Sequence, residues 1–118
     1  TYPTPEIDKL YMVGSACAAG WNIGASLEMT QDPVNKFLFT WIGQLSAGEL
    51  KFPLDTPSDW SCDFIMDASE NQSITDSRAV KRNSPDTKWQ VLSGEAGKYK
   101  VTVDTYHMTV TFEKQKEE

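Results

Sequence analysis

Apolar and polar positions alternate with a period of two along most of this chain, and helical periodicity is nearly absent. The C-terminal third gives the clearest case. Tyr99, Val101 and Val103 point one way and Lys100, Thr102 and Asp104 the other. A turn near Asp104–His107 follows. Met108, Val110 and Phe112 then form an apolar face opposite Thr109, Thr111 and Glu113. Both runs are rich in β-branched and aromatic residues with a Thr-rich polar side, which predicts an antiparallel hairpin with one wet face.

The same alternation marks strands upstream. Leu10–Val13 is a short apolar run, and a second strand-like run ends at Leu27 and Met29. Between them lies a loop of Ala, Ser and Gly that carries Cys17 and Trp21. Residues 36–42 set Phe37, Phe39 and Trp41 against Leu38, Thr40 and Ile42, after a turn over 31–35. Glu49–Phe52 reads as a strand stopped by Pro53, and Lys88–Ser93 as another closed by a turn over 94–97. About seven short strands separated by turn signals predict a β-sandwich. Leu54–Thr87 breaks the pattern: Pro57, Pro85 and many Ser, Asp and Asn surround scattered apolar residues. It is expected to form long loops around one or two weak strands, a length that points to function or disorder.

With 118 residues, one domain with a real core is expected. The net charge of −6 argues against nucleic acid and against electrostatic docking on an anionic membrane. An uncharged or weakly charged ligand fits better. No run approaches the roughly 20 apolar residues of a membrane-spanning helix. Thr1-Tyr2-Pro3-Thr4-Pro5 reads as an extended linker or trimmed end, so residues 1–8 are set apart from a domain over 9–113, and 114–118 form a charged tail. The chain is expected to be a piece of something longer.

Laid out in order, the chain resembles a family. The residues that carry the likeness are Leu10-Tyr11-Met12-Val13-Gly14, Gly20-Trp21-Asn22-Ile23-Gly24, Phe39-Thr40-Trp41, Ala47-Gly48-Glu49-Leu50-Lys51-Phe52, Lys88-Trp89 and Ala96–Asp104 through Thr111. They are similar to the repeated domains of SusE and SusF, surface lipoproteins of the starch-utilisation system in Bacteroides-type bacteria. The resemblance implies an all-β, immunoglobulin-like antiparallel β-sandwich of about seven to eight short strands. It also implies non-enzymatic binding of polysaccharide or oligosaccharide without a cofactor, on the outer membrane facing out, beside other proteins of a glycan-uptake system. Attachment to the membrane would run through a lipid anchor that this fragment lacks. Related proteins serve other polysaccharides, so starch does not follow automatically.

Glycan binding needs flat apolar surfaces for the C–H faces of pyranose rings and hydrogen-bonding groups for the hydroxyls. Trp41, in phase with Phe37 and Phe39, is expected in the core, and Trp89, in phase with Val91, in or near it. Trp21 and Trp60 lie in polar or small-residue loops and are the candidates for stacking. Cys17 and Cys62 flank them closely. A bridge would hold the two loops side by side and add roughly 4 kcal/mol in the chain-entropy view. Two separate buried thiols are the alternative.

Lys81, Arg82 and Lys88, with Arg78, form a basic patch late in the irregular segment and are the candidate hydroxyl donors. Asp59 and Asn71 are candidate acceptors. Asp55, Asp59, Asp63 and Asp67 recur every four residues, but Pro53 and Pro57 argue against a helix that would align them. No pair of carboxylates is marked for glycoside hydrolysis and no loop motif for calcium, so neither catalytic residues nor a metal are expected. His107 stands alone in a turn and is expected at the surface. The rival reading is a structural spacer with its tryptophans buried.

Overall fold

The computed structural model describes residues 7, 9–54, 63–83 and 85–115, and they form an antiparallel β-sandwich. In chain order the strands are β1 (Tyr11–Met12), β2 (Leu27–Glu28), β3 (Thr30–Gln31), β4 (Leu38–Leu45), β5 (Gly48–Leu50) and β6 (Phe52–Pro53). They continue with β7 (Phe64–Asp67), β8 (Ala79–Arg82), β9 (Trp89–Val91), β10 (Gly97–Asp104) and β11 (Thr109–Lys114). Single 3-10 turns occupy Ile23–Ala25 and Ser93–Glu95.

One layer is a four-stranded sheet in the order β11-β10-β4-β3. Its register sets Val101 opposite both Trp41 and Phe112, and Val103 opposite Phe39 and Val110. The period-2 pattern therefore has a physical outcome: Phe39, Leu45, Tyr99, Val101, Val103 and Val110 share one face and are all buried. The other layer is assembled from shorter pieces. Strand β5 pairs with β9, β6 with β7, and β7 with β8, while bridges Leu10↔Leu54 and Val13↔Lys51 attach β1. At Met29 the chain passes between layers, since β2 pairs with β1 and β3 with β4.

Trp89 is fully buried between the layers, as its phase with Val91 predicts. Its ring meets Phe52 edge-to-face at 5.6 Å and Phe112 at 6.0 Å, and its Nε1 donates to Asp76 O at 3.2 Å. Trp41 packs against the core but is only half buried. It lies across Gly43, where a Cβ would come within 2.5 Å of the indole. Pro53, expected to stop a strand, instead pairs with Phe64 as part of β6. The described part of the irregular segment contains two strands, β7 and β8. All four residues of β7 are buried: Phe64, Ile65 and Met66 form an apolar run with no alternation, and the buried Asp67 ends it.

The loop after β1 is pressed onto β5. Ala16 N donates to Glu49 O at 3.1 Å, Ser46 N to Ala16 O at 2.8 Å, and Glu49 N to Ser15 Oγ at 3.0 Å. Gly14, at φ +142°, makes this contact feasible, because a Cβ there would meet Glu49 O at 2.1 Å and Leu50 Cα at 2.6 Å. Both obstacles are backbone and cannot rotate away. Gly14→Ala should therefore lose about 2–4 kcal/mol and lower the Tm by roughly 10 °C or more. Gly94→Ala, with nothing within 4 Å of its Cβ position, should stay close to wild type. Thermal denaturation of the two variants side by side tests the contact.

Candidate functional site

The loop from Gly14 to Asn22 owes its compactness to small side chains. Ala16, Cys17 and Ala19 are buried beneath it, and Gly14 N donates to Gly20 O at 2.8 Å. Cys17 N donates to Gly14 O and Gly20 N to Cys17 O, closing successive turns. With the small residues turned inward, Trp21 is left at the rim, 40% exposed. Asn22 then caps the 3-10 turn through Oδ1, which accepts from Gly24 N at 3.2 Å.

Trp21 borders a hollow of about 370 Å³ whose described lining also includes Glu49, Lys51, Asp86 and Lys88. These four come from two stretches of the second layer, residues 49–51 and 86–88. Glu49 stands on β5, and Lys51 shares its face two residues on. Lys88 enters just before β9, the partner of β5. Lys51 is 4% exposed and lies 4.0 Å from the centroid of the Phe64 ring, a cation–π contact. Its Nζ meets Asp86 Oδ1 at 2.7 Å, while Lys88 Nζ lies 3.3 Å from Asp86 Oδ2 and 3.9 Å from Glu70 Oε1. Asp86 thus bridges two ammonium groups. Partial burial pushes its carboxyl up, but the hydrogen bond and charge of Lys51, with Lys88, outweigh this and hold it below the ordinary carboxylate value.

Asn71 completes the polar side. Its Nδ2 donates to Glu49 Oε2 at 2.8 Å and its backbone N to Lys88 O at 3.0 Å. Its φ is +57°, a left-handed conformation that Asn tolerates better than most residues. Gln72, 5% exposed, fixes the segment from within. Its Oε1 accepts from Ala68 N and Ser69 N, and its Nε2 donates to Asp76 O and Arg78 O. Gln72 N donates to Asp67 Oδ2 at 2.9 Å, and Gln90 N to Gln72 O at 3.0 Å.

Of the residues singled out from sequence, the structure therefore brings together Trp21, Lys88 and Asn71. It does not bring Lys81 and Arg82 to the described lining. Lys81 sits on β8 opposite Ile65, and Arg82 turns its Nη2 to Thr87 Oγ1 at 3.0 Å. Arg78 is taken up by Asp76 at 2.7 Å. The basic patch was a neighbourhood in sequence, and β8 carries most of it elsewhere. Asp59, Trp60 and Cys62 lie outside the described residues. Cys17 is a free, buried thiol whose Sγ donates to Gly14 O at 3.3 Å. Burial pushes its pKa up. Asp63 is exposed and Asp67 buried, so the four-residue aspartate spacing does not make a common face of these two. Among the described residues no group of three His, Cys, Asp or Glu side chains could hold a metal. Glu49, Lys51 and Asp86 were missed. The usable signal was that Glu49 and Lys51, two apart on a strand, must share a face.

A rigid indole beside alternating donors and acceptors can stack on one sugar face and exchange hydrogen bonds with its hydroxyls. Asp86 is poorly set up as a general acid, which needs a raised carboxyl pKa, because its own is lowered. The family model for SusF/SusE starch-specific carbohydrate-binding modules matches residues 9–113. The chain belongs to the SusF/SusE family. Among solved structures, SusF from Bacteroides thetaiotaomicron matches with a TM-score of 0.65 at 16% identity. The match covers 95% of this chain and 25% of SusF, so the chain spans about a quarter of that protein's length. That identity speaks for the fold, and the all-β sandwich agrees with it. Among curated proteins none matches.

The lysine bridge fixes an expected pH response. Asp86 is ionised more readily in the folded than in the unfolded chain. Its contribution is therefore present above the unfolded carboxyl value, near ~3.9, and is lost as pH falls through the lower folded value. Asp86→Asn should reduce stability at pH 7 and flatten the loss of stability below about pH 4. Urea unfolding of wild type and variant across pH 2–7 reads this out, and parallel curves would refute the bridge.

Proposed function

We propose that the hollow beside Trp21 binds a neutral glycan of the α-glucan type, non-catalytically, as part of a longer surface lipoprotein of an outer-membrane glycan-uptake system. The observation that carries this reading is the half-open Trp21 bordering the same hollow as the Lys51–Asp86–Lys88 bridge. Trp21 supplies the stacking face, and Lys88, Asn71 and Glu49 offer groups to the hydroxyls. The described lining sets Lys51 and Lys88 against Glu49 and Asp86, so charges are matched and a neutral sugar suits it better than an anionic one. The family's description as starch-specific modules supports the α-glucan choice. Trp60 and Asp59 stay within the proposal as further contacts from the segment before β7.

The spacer alternative expects buried tryptophans. Trp89 fits that expectation and Trp21 does not. Affinity electrophoresis in soluble starch, with calorimetry on maltoheptaose, decides between the two. Trp21→Ala should weaken binding by about 10- to 100-fold, or roughly 1.5–3 kcal/mol, while leaving the Tm within a few degrees of wild type. If no glycan retards the wild type and Trp21→Ala unfolds the domain, the spacer reading replaces this one.

A further inference from the structure

Among the described residues the exposed large aromatics are Trp21 and Tyr106, and the hollow accounts for only the first. Tyr106 is 61% exposed, more than Trp21 itself. It tops the turn between β10 and β11, at one end of the four-stranded layer, whereas the hollow belongs to the other layer. Two further rings stand with it. Tyr106 meets Phe37 edge-to-face at 5.1 Å and 65°, and His107 at 5.0 Å and 84°.

The backbone under these rings is held at several points. Asp104 Oδ1 accepts from Tyr106 N at 2.9 Å and His107 N at 3.0 Å. Thr105 N and Oγ1 both donate to Phe37 O, at 2.9 and 3.0 Å, tying the turn to the start of β4. His107 Nδ1 lies 2.7 Å from Asp104 Oδ2, which engages one ring nitrogen and leaves Nε2 for a ligand. A turn of this kind needs an Asp that accepts from the following amides and a residue that tolerates the left-handed backbone of Met108, at φ +55°. Nothing in that geometry requires three flat rings at 37, 106 and 107.

We propose that Tyr106, with Phe37 and His107, forms a second glycan-contacting platform, so that one domain grips a long polysaccharide at two places. This rests on the glycan reading of the hollow. The Tyr106 ring offers the face for pyranose C–H groups, and Tyr106 Oη and His107 Nε2 serve the hydroxyls. Because the turn is already ordered, little conformational freedom is lost on contact. Two modest sites on one chain raise retention on a long polymer well above what either gives on a short oligosaccharide.

The chain contains a single histidine and four tryptophans, so both sites have their own NMR reporters. Maltoheptaose is titrated into the protein while the His107 Cε1–H and the indole N–H signals are followed. The His107 signal should shift saturably in the wild type and in Trp21→Ala, lose its shift in Tyr106→Ala, and keep it in Tyr106→Phe. Retention in a soluble-starch gel should fall about ten-fold or more when either Trp21 or Tyr106 is replaced by Ala, and to background when both are. An unchanged Trp89 indole signal certifies the fold of each variant. If the Trp21 indole responds and His107 does not, the second platform is overturned and the hollow stands. If neither responds, the glycan reading fails and the platform with it.

Discussion

The backbone contact between Gly14 and β5 is the constraint on which the candidate site depends. Trp21 has no strand of its own to hold it. Its place at the rim follows from the loop being pressed flat against Glu49 and Leu50, which only a residue without Cβ at position 14 permits. The hydrogen bonds Ala16 N to Glu49 O and Glu49 N to Ser15 Oγ then lock that loop to the strand that supplies Glu49, one of the site's two described carboxylates. Indole and acceptor are thus positioned by one contact, made by backbone and a serine hydroxyl. This is why a loop of Ala, Ser and Gly can carry a large aromatic without collapsing over it.

Lys51 poses the opposite problem. An ammonium group at 4% exposure costs desolvation energy that an apolar residue would not, and buried ion pairs rarely repay it as net stability. Two partners among the described residues help to carry the charge: Asp86 Oδ1 at 2.7 Å and the Phe64 ring at 4.0 Å. What the pair adds is placement. It draws the segment before β9 onto the outer side of the second layer, and Asp86 in turn holds Lys88 at the hollow. A methionine at 51 could fill the space but would leave Asp86 without its closer cation.

The hairpin of β10 and β11, the burial of Trp89 and the loop position of Trp21 were all legible in the sequence, because period-2 alternation reports directly which face a side chain takes. The site's polar half was legible only in part. Lys88 and Asn71 could be named as polar residues in an irregular segment, but Lys51 and Asp86 are 35 residues apart and meet only through the sheet order. The grouping of Lys81 and Arg82 with Lys88 failed for the same reason. Residues 79–82 pair with β7, so the chain leaves the hollow and returns to it at Asp86. Pro53 was misread because a proline can sit in a strand wherever its missing N–H is not needed for pairing.

Asp67 shows why the hollow and the loop beneath it should respond differently to acid. Burial pushes the Asp67 carboxyl up, against the hydrogen bond from Gln72 N, and its Oδ1 has no partner among the described residues. Arg82 Nε, buried nearby in the network through Thr87, also lacks one. Protonating Asp67 therefore relieves a buried charge, and its titration favours the folded chain as pH falls toward the unfolded carboxyl value. Asp86 has the opposite sign, because its proton displaces the lysine bridge. Apart from the bond from Gln72 N to Asp67 Oδ2, Gln72 holds its neighbours through amide and backbone groups that do not titrate, so the segment from Asp67 to Arg78 keeps these ties while the Lys51–Asp86–Lys88 bridge opens. As pH falls, Asp67 therefore takes up its proton first and in favour of the folded chain, and the bridge that shapes the hollow is lost only afterwards, at the lower value at which Asp86 is protonated.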